Sequence, residues 1–416
     1  MLSFAIIFFM IVWVFINMIV YKKVINVPTI ITIIWCTSLF FSLLGLYDIF
    51  IPPKEVVWYT FIFISSFNIF SIIFNTICKN KTNKIESHVV SNKFLTRILI
   101  VCIVVLLIIC YKGLLIFFST YDLDIVRNSY ISFSSINMHV QVFLTITFIP
   151  LGEAAFIYSI ENYNIEKKVR SSLILSIIFI VLVSLLTGGR SMMFFFVLVA
   201  IVATVKKGIK AFIIKNKKII KICLILIATL LIITRQRSFG NNGILNSIYV
   251  YFCGCFNLFG VYLNKNMVFS NDLLHGSVLL GGIGFPILQF IRYVFHVNVL
   301  PGIYILEEEA TSKYLGISPT IAINATPTTM FHAIRDFGLY GLAIYPLIIS
   351  YIYTKLKKRQ NLNIMYESLY TYFISCCFLL HTTYYFGKFQ VVSVFLYVYL
   401  IYAMAPKSNK TFQIKE

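Results

Sequence analysis

Three side chains of different chemistry lie within five residues of one another: His332, Arg335 and Asp336, in the stretch NATPTTMFHAIRDFGLYG. If this stretch is helical, His332 and Asp336 are neighbours at i and i+4, and Arg335 stands one turn from His332. An imidazole and a carboxylate on one face can serve general acid–base chemistry. A guanidinium beside them offers a planar fork of donors that grips phosphate or carboxylate and keeps its charge. An ordinary ion pair at the start of a helix would use the same residues, so composition and context must decide between the readings.

The other arginines point the same way. Of nine, only Arg97, Arg170 and Arg359 belong to lysine-rich runs, whereas Arg127, Arg190, Arg235, Arg237, Arg292 and Arg335 stand apart from them. Arg127 has Asp122 and Asp124 close by and could pair with them. Arg190 follows two glycines in LTGGRSMMFFF, between two apolar runs with almost no room for a loop. That predicts a tight hairpin holding one guanidinium at a membrane boundary, where glycine permits a ligand's close approach. Arg235 and Arg237 open the stretch RQRSFGNNG. In an extended chain they face the same side and form a clamp for one anionic group.

The elements that must position these residues are membrane helices. The chain has 416 residues, 59% hydrophobic and 12% charged, where an ordinary soluble domain carries about a quarter charged residues. Its apolar runs approach the length of about 20 residues that crosses a bilayer as a helix. Candidate spans are 2–20, 28–47, 56–77, 98–118, 139–160, 171–187, 191–205, 219–234, 337–354, 364–385 and 389–405, with 247–262 ambiguous. The fold class expected is an all-α polytopic membrane protein of about eleven to twelve transmembrane helices, one domain over 1–416, with a large outer loop region at 235–331.

Basic runs alternate with connections that hold few lysines. Placing them inside assigns 24 of the 35 Lys and Arg residues to the cytoplasm, with the N-terminus out and the C-terminus in. The net charge of +20 is thereby accounted for without nucleic acid as a partner. The first apolar run lacks the basic leader and small-residue cleavage site of a signal peptide.

The remaining motifs are quieter. Cys36, Cys102, Cys110, Cys223, Cys376 and Cys377 fall in apolar runs without metal-ligand spacing, and Cys253 and Cys255 are unsuited to a disulfide with each other. GSVLLGGIGFP, from Gly276 to Pro286, lacks the strand that a nucleotide loop requires and reads as a flexible turn. Glu307, Glu308 and Glu309 read as a solvated loop face. Tyr249, Tyr251, Phe252 and Phe256 read as interfacial anchors or a face for sugar rings. Lys112, Glu153 and Glu367 are the charges inside spans, and the two carboxylates have no obvious partner in sequence.

In layout and motifs the chain resembles the bacterial O-antigen and capsule repeat-unit polymerases, the Wzy-type integral membrane glycosyltransferases. The resemblance rests on the number of spans and the dominant late outer loop. It also rests on the arginine in YDLDIVRNSY, the Thr187-Gly188-Gly189-Arg190 turn, and Asn324 and Thr328 followed by Asp336-Phe337-Gly338-Leu339-Tyr340-Gly341. It implies a GT-C-like, metal-independent enzyme of the bacterial plasma membrane, without a cofactor, whose active site faces the periplasm or exterior. Its substrates would be oligosaccharides on undecaprenyl diphosphate, and its partners the bilayer, a chain-length regulator and a flippase. The nascent glycan would pass to the non-reducing end of an incoming lipid-linked repeat. Arg127, Arg190, Arg235, Arg237, Arg292 and Arg335 would then bind substrate or diphosphate, and His332 or Asp336 would act as the base. An O-antigen ligase and a lipid-linked oligosaccharide flippase are the alternatives.

The topology is open to direct test. With Lys206 to Lys221 inside, a cysteine at Lys210→Cys should resist a membrane-impermeant maleimide in intact cells and react after permeabilisation. Labelling in intact cells would invert the map.

Overall fold

Polar side chains buried among apolar helices set the framework. Asn26 caps the helix that follows it, accepting from the Thr29 backbone N–H at 2.9 Å, which satisfies one of the donors that a helix start leaves open. Asn17 donates to Asn68 at 2.7 Å, and Asn68 donates to Thr32 at 3.0 Å, all three side chains being buried. In an apolar bundle such interhelical bonds fix the helices' register where hydrophobic contrast with the surroundings cannot.

The structure is a computed structural model that describes residues 2–23, 26–78, 89–120, 143–166, 168–187, 190–206, 244–269, 272–297, 299–313, 315–319, 321 and 327–406. These residues form helices and no strand. In chain order they are α1 (Leu2–Tyr21), α2 (Val27–Leu43), α3 (Lys54–Ile77) and α4 (Asn92–Thr120). A π-helical turn at Leu144–Phe148 leads into α5 (Ile149–Glu166), followed by α6 (Ser171–Thr187) and α7 (Arg190–Val205). The later helices are α8 (Ile244–Asn264), α9 (Gly281–Phe295), α10 (Gly302–Lys313) and α11 (Thr329–Phe337). The last are α12 (Gly341–Arg359), α13 (Ile364–Phe378) and α14 (Phe389–Met404).

Among the described residues, five stretches are long and apolar enough to cross a membrane: Ser3–Tyr21, Lys54–Ile77, Asn92–Ile109, Leu144–Glu166 and Thr329–Arg359. Five shorter described helices are also apolar: Val27–Leu43, Ser171–Ser184, Met193–Val205, Ile248–Asn264 and Phe389–Met404. The expected span at 219–234 lies outside the described residues. The expected span at 364–385 is helical only to Phe378. The part expected as a large loop contains three described helices, α8 to α10.

The chain clusters into two compact units. The first comprises Met1–Lys79, Phe239–Lys355 and Cys376–Val391. In it α1, α2 and α3 pack on one another, Trp35 stacks on Phe63 at 5.0 Å, and Ser71 bonds Ser350 at 3.1 Å. The second comprises Asn80–Ser238, Leu356–Ser375 and Val392–Glu416. There α4, α5 and α6 associate, and the Tyr158 hydroxyl donates to the Val398 carbonyl at 2.7 Å.

Two glycines of the DFGLYG stretch make the junction between α11 and α12. Gly338 has φ 61° and ψ −154°, a region that is essentially glycine-only, and it stops α11 after nine residues. A Cβ on Gly341 would overlap the Ala333 carbonyl, so the first turn of α12 touches the backbone of α11. Gly341→Ala should therefore lower stability by about 1–3 kcal/mol, the usual cost of overpacking. Gly284→Ala meets nothing within 4 Å and should be neutral or slightly stabilising, since alanine favours a helix over glycine. Apparent thermal midpoints of the full chain in detergent check the pair, and equal midpoints would contradict the packing described.

Candidate functional site

Helix α11 is nine residues long, and every residue from Thr329 to Asp336 is buried, including His332, Arg335 and Asp336. Phe331 packs its ring against Tyr262 at 5.0 Å, edge to face, which seats α11 on α8. Burying three ionisable residues in one short helix requires that each be paired or hydrogen-bonded. The three meet that requirement to very different degrees.

Asp336 meets it in full. Its Oδ1 accepts from the backbone N–H of Gly276 at 2.7 Å and of Val278 at 3.2 Å. Its Oδ2 accepts from the N–H of Leu279 at 2.9 Å and from the Tyr345 hydroxyl at 2.9 Å. The backbone adds two further bonds, Leu274 N–H to the Arg335 carbonyl and His275 N–H to the Asp336 carbonyl, both 3.0 Å. A carboxylate has about four lone-pair sites, and here four donors engage it. The expected base is His332 or Asp336, and the structure engages the Asp336 carboxylate in anchoring the 274–280 turn. These bonds correct the reading of GSVLLGGIGFP as a flexible turn. The backbone N–H groups of Gly276, Val278 and Leu279 form an anion cradle, and the anion is supplied by the protein itself.

His332 and Arg335 are not satisfied. The His332 Nδ1 lies 3.2 Å from the Thr328 carbonyl. A carbonyl can only accept, so Nδ1 carries the proton and Nε2 of the neutral ring is the bare nitrogen. Nε2 is buried and has no hydrogen-bond partner among the described residues. Arg335 is 3% exposed, and its Nη2 reaches Glu309 Oε2 at 3.4 Å. Its Nε and Nη1 have no partner among the described residues, and neither do the Thr328 and Thr329 hydroxyls. Thr328, His332 and Arg335 follow one another at i, i+4 and i+7, within about 60° around the helix. One stripe at α11 thus carries a hydroxyl, a proton acceptor and two guanidinium nitrogens that have no partner among the described residues. Other buried polar atoms of the described residues are also open, Asn162 Oδ1 and Asn246 Oδ1 among them, but here three functional groups of different chemistry share one stripe.

No family model, curated protein or solved structure matches the chain.

The remaining site residues fall as follows. Arg127, Arg235 and Arg237 lie outside the described residues. Arg190 is the first residue of α7, directly after α6 ends at Thr187, and its side chain lies outside the described part. Arg292 is half-buried in the last turn of α9. No hydrogen bond or ion pair among the described residues joins it to His332 or Arg335. Of the two arginines whose side chains are described, Arg335 lies with His332 on α11 and Arg292 lies on α9.

Other readings are also corrected. The acidic run is helical, because α10 spans it. Glu307 pairs with Lys388 at 2.5 Å while Glu309 faces Arg335; two residues apart on a helix, they point to different sides. Burial draws the Lys388 ammonium down, but Glu307 and the phenols of Tyr385 and Tyr304 outweigh it, leaving its pKa above the ordinary lysine value. This pair contributes fully below the unfolded lysine pKa and is lost only as pH rises through the raised value. Tyr249 and Phe256 are core residues, Tyr249 donating to the Phe41 carbonyl at 2.6 Å and Phe256 lying edge-on to Trp35.

The carboxylates that lacked partners in sequence acquire them in the second unit. Glu153 accepts from Tyr372 at 3.5 Å, and Glu367 pairs with Lys206 at 3.1 Å. Lys206 also reaches Glu161 at 2.5 Å, and Thr371 donates to the same Glu161 oxygen at 2.6 Å. Sequence reading missed these contacts because the partners are 45 to 219 residues apart and share no periodic signal. Among the described residues no three His, Cys, Asp or Glu side chains gather as metal ligands would.

The two roles open to Asp336 give different outcomes for one substitution. Asp336→Asn keeps the shape but turns an amide N–H₂ toward backbone donors, leaving at least one unpaired at a cost of about 1–3 kcal/mol. Tyr345→Phe removes one donor of four and should cost about 1 kcal/mol. Both should lower the thermal midpoint, Asp336→Asn more. An unchanged midpoint with lost activity would return Asp336 to the role of base.

Proposed function

We propose that this chain is a membrane-embedded glycosyltransferase of the Wzy type, with a GT-C-like fold, working at the outer face of a bacterial plasma membrane. It moves a nascent glycan from undecaprenyl diphosphate to the non-reducing end of an incoming lipid-linked repeat, in O-antigen or capsule synthesis. The single observation that carries this reading is the stripe of unpartnered groups on α11, with His332 Nε2 bare and two Arg335 donors open.

The chemistry follows from those groups. The acceptor hydroxyl oxygen forms the new bond to the anomeric carbon, and its proton passes to His332 Nε2. The bond from that carbon to the diphosphate oxygen breaks, and the electron pair leaves with undecaprenyl diphosphate. Arg335 stabilises the charge developing on that oxygen, and fixed donors in a water-poor site do this effectively. Thr328 holds His332 in the required tautomer through its carbonyl, and Asp336 fixes the helix on which both act. Arg190 and the other outer arginines are further candidates for the second diphosphate. The chain-length regulator and the flippase that feeds the enzyme remain partners within this reading.

A transport function has one observation in its favour, the partly buried Lys206–Glu161–Glu367 network, because charges inside a bundle often line a pathway. The two readings separate in detergent, where a polymerase lengthens lipid-linked repeats and a flippase has no second compartment to reach. The wild-type chain should yield polymer there. His332→Gln should reduce elongation by about 10²–10⁴-fold, the range for loss of a general base. Arg335→Ala should reduce it by about 10²-fold or more, and Arg335→Lys should fail to restore it. These comparisons are made at matched abundance and unchanged thermal midpoint. Elongation at the wild-type rate in both His332→Gln and Arg335→Ala would remove α11 from the chemistry, and absence of elongation by the wild type would reject the polymerase.

A further inference from the structure

Helix α9 is turned inside out by the standards of a water-exposed helix. Leu280 before it and Ile283, Ile287, Phe290 and Val294 along it are all exposed, Phe290 to 65%. Their spacing of three, four, three and four residues sets them in one stripe, within about 80° at about 100° per residue. Arg292 lies on the opposite side, about 180° from Ile283. That opposite side faces the protein: Phe285 stacks on Phe389 at 5.2 Å and 21° and approaches Tyr304 at 5.2 Å. The helix therefore shows its apolar residues outward and turns its one cation away from them.

Two attachments fix where α9 sits. The turn before it is held by the Asp336 carboxylate at the end of α11. Its Phe285 packs on the first residue of α14. The stretch Thr329–Arg359 is long and apolar enough to cross a membrane, and α14 is an apolar helix. Asp336 falls in the first third of Thr329–Arg359 and Phe389 begins α14, so both attachments lie toward the N-terminal ends of these elements and α9 runs near their boundary. With 15 residues it is about 22 Å long, short of the roughly 30 Å hydrocarbon core, and it does not cross.

We infer that α9 is an in-plane membrane helix whose outward stripe is seated in the acyl layer of the bilayer. Among occupants of an exposed apolar face, the bilayer is the one that the flanking elements already bring to that boundary. The stripe carries no polar or charged side chain that would set the register of a protein partner. Tyr293 beside it is 81% exposed, and tyrosine is enriched where an apolar layer meets water. An apolar stripe of this kind left in water would be an aggregation site. The inference rests on the membrane reading alone and stands or falls independently of glycosyl transfer.

Nitroxide labels on single cysteines test it in liposomes of phosphatidylethanolamine and phosphatidylglycerol, using the full chain with its native cysteines replaced. At Ile283→Cys, Ile287→Cys and Phe290→Cys, collisions with oxygen should exceed those with an aqueous nickel chelate several-fold. At Arg292→Cys this excess should vanish. Ready access of the nickel chelate to all three stripe positions would place the face in water and overturn the inference. A second variant keeps every native cysteine: Phe290→benzoylphenylalanine, irradiated in the same liposomes. Adducts of lipid mass support seating in the bilayer, whereas an adduct of two chains in place of lipid would assign the face to a second copy and overturn it.

Discussion

A single carboxylate determines how the described part of the first unit closes. Asp336 is fully buried and accepts four hydrogen bonds, three from consecutive parts of one turn and one from Tyr345. Charge-assisted bonds of this kind are roughly twice as strong as neutral ones, and an unpaired buried charge would be prohibitive. The turn at 274–280, the start of α9, helix α11 and the first turns of α12 are consequently one assembly. Removing any donor raises the cost of keeping the carboxylate where it is.

That constraint explains the division of labour on α11. The helix has three ionisable residues, and the structure spends one on holding position. Asp336 lies toward the side of the turn and Tyr345, while Thr328, His332 and Arg335 share a neighbouring stripe. The unsatisfied groups are tolerable because the satisfied one fixes their surroundings, so strain at the stripe does not loosen the helix. Glycines 338 and 341 complete the arrangement, since the first stops α11 and the second lets α12 approach its backbone. The stripe is thus carried on a helix held at one end by Asp336 and packed on Tyr262 through Phe331.

Much of the helical architecture was legible in the sequence, because apolar runs separated by basic stretches are a strong, local signal. The i, i+4 relation of His332 and Asp336 was equally legible, and α11 is helical there. What spacing could not reveal was direction. Asp336 and His332 are neighbours on the helix, yet the carboxylate is engaged by a turn 57 to 60 residues earlier. Nothing local in GSVLLGG announces that its N–H groups converge on an anion carried by another segment. The acidic run at 307–309 misled for the same reason, since its partners Arg335 and Lys388 are distant in sequence. The stripe of α9 was hidden by its own hydrophobicity, which fits a buried helix as well as one facing lipid.

The separation between Asp336 and its turn also orders the birth of the protein. Residues 276–279 leave the ribosome well before Asp336 does, and α9 and α10 are made in the interval. During that interval the N–H groups of the turn have no carboxylate, and the loop cannot hold its final shape. When α11 arrives it brings a histidine, an arginine and an aspartate that an apolar environment rejects singly. Closing on the waiting turn pairs the aspartate of that helix, which makes its burial dependent on segments already delivered.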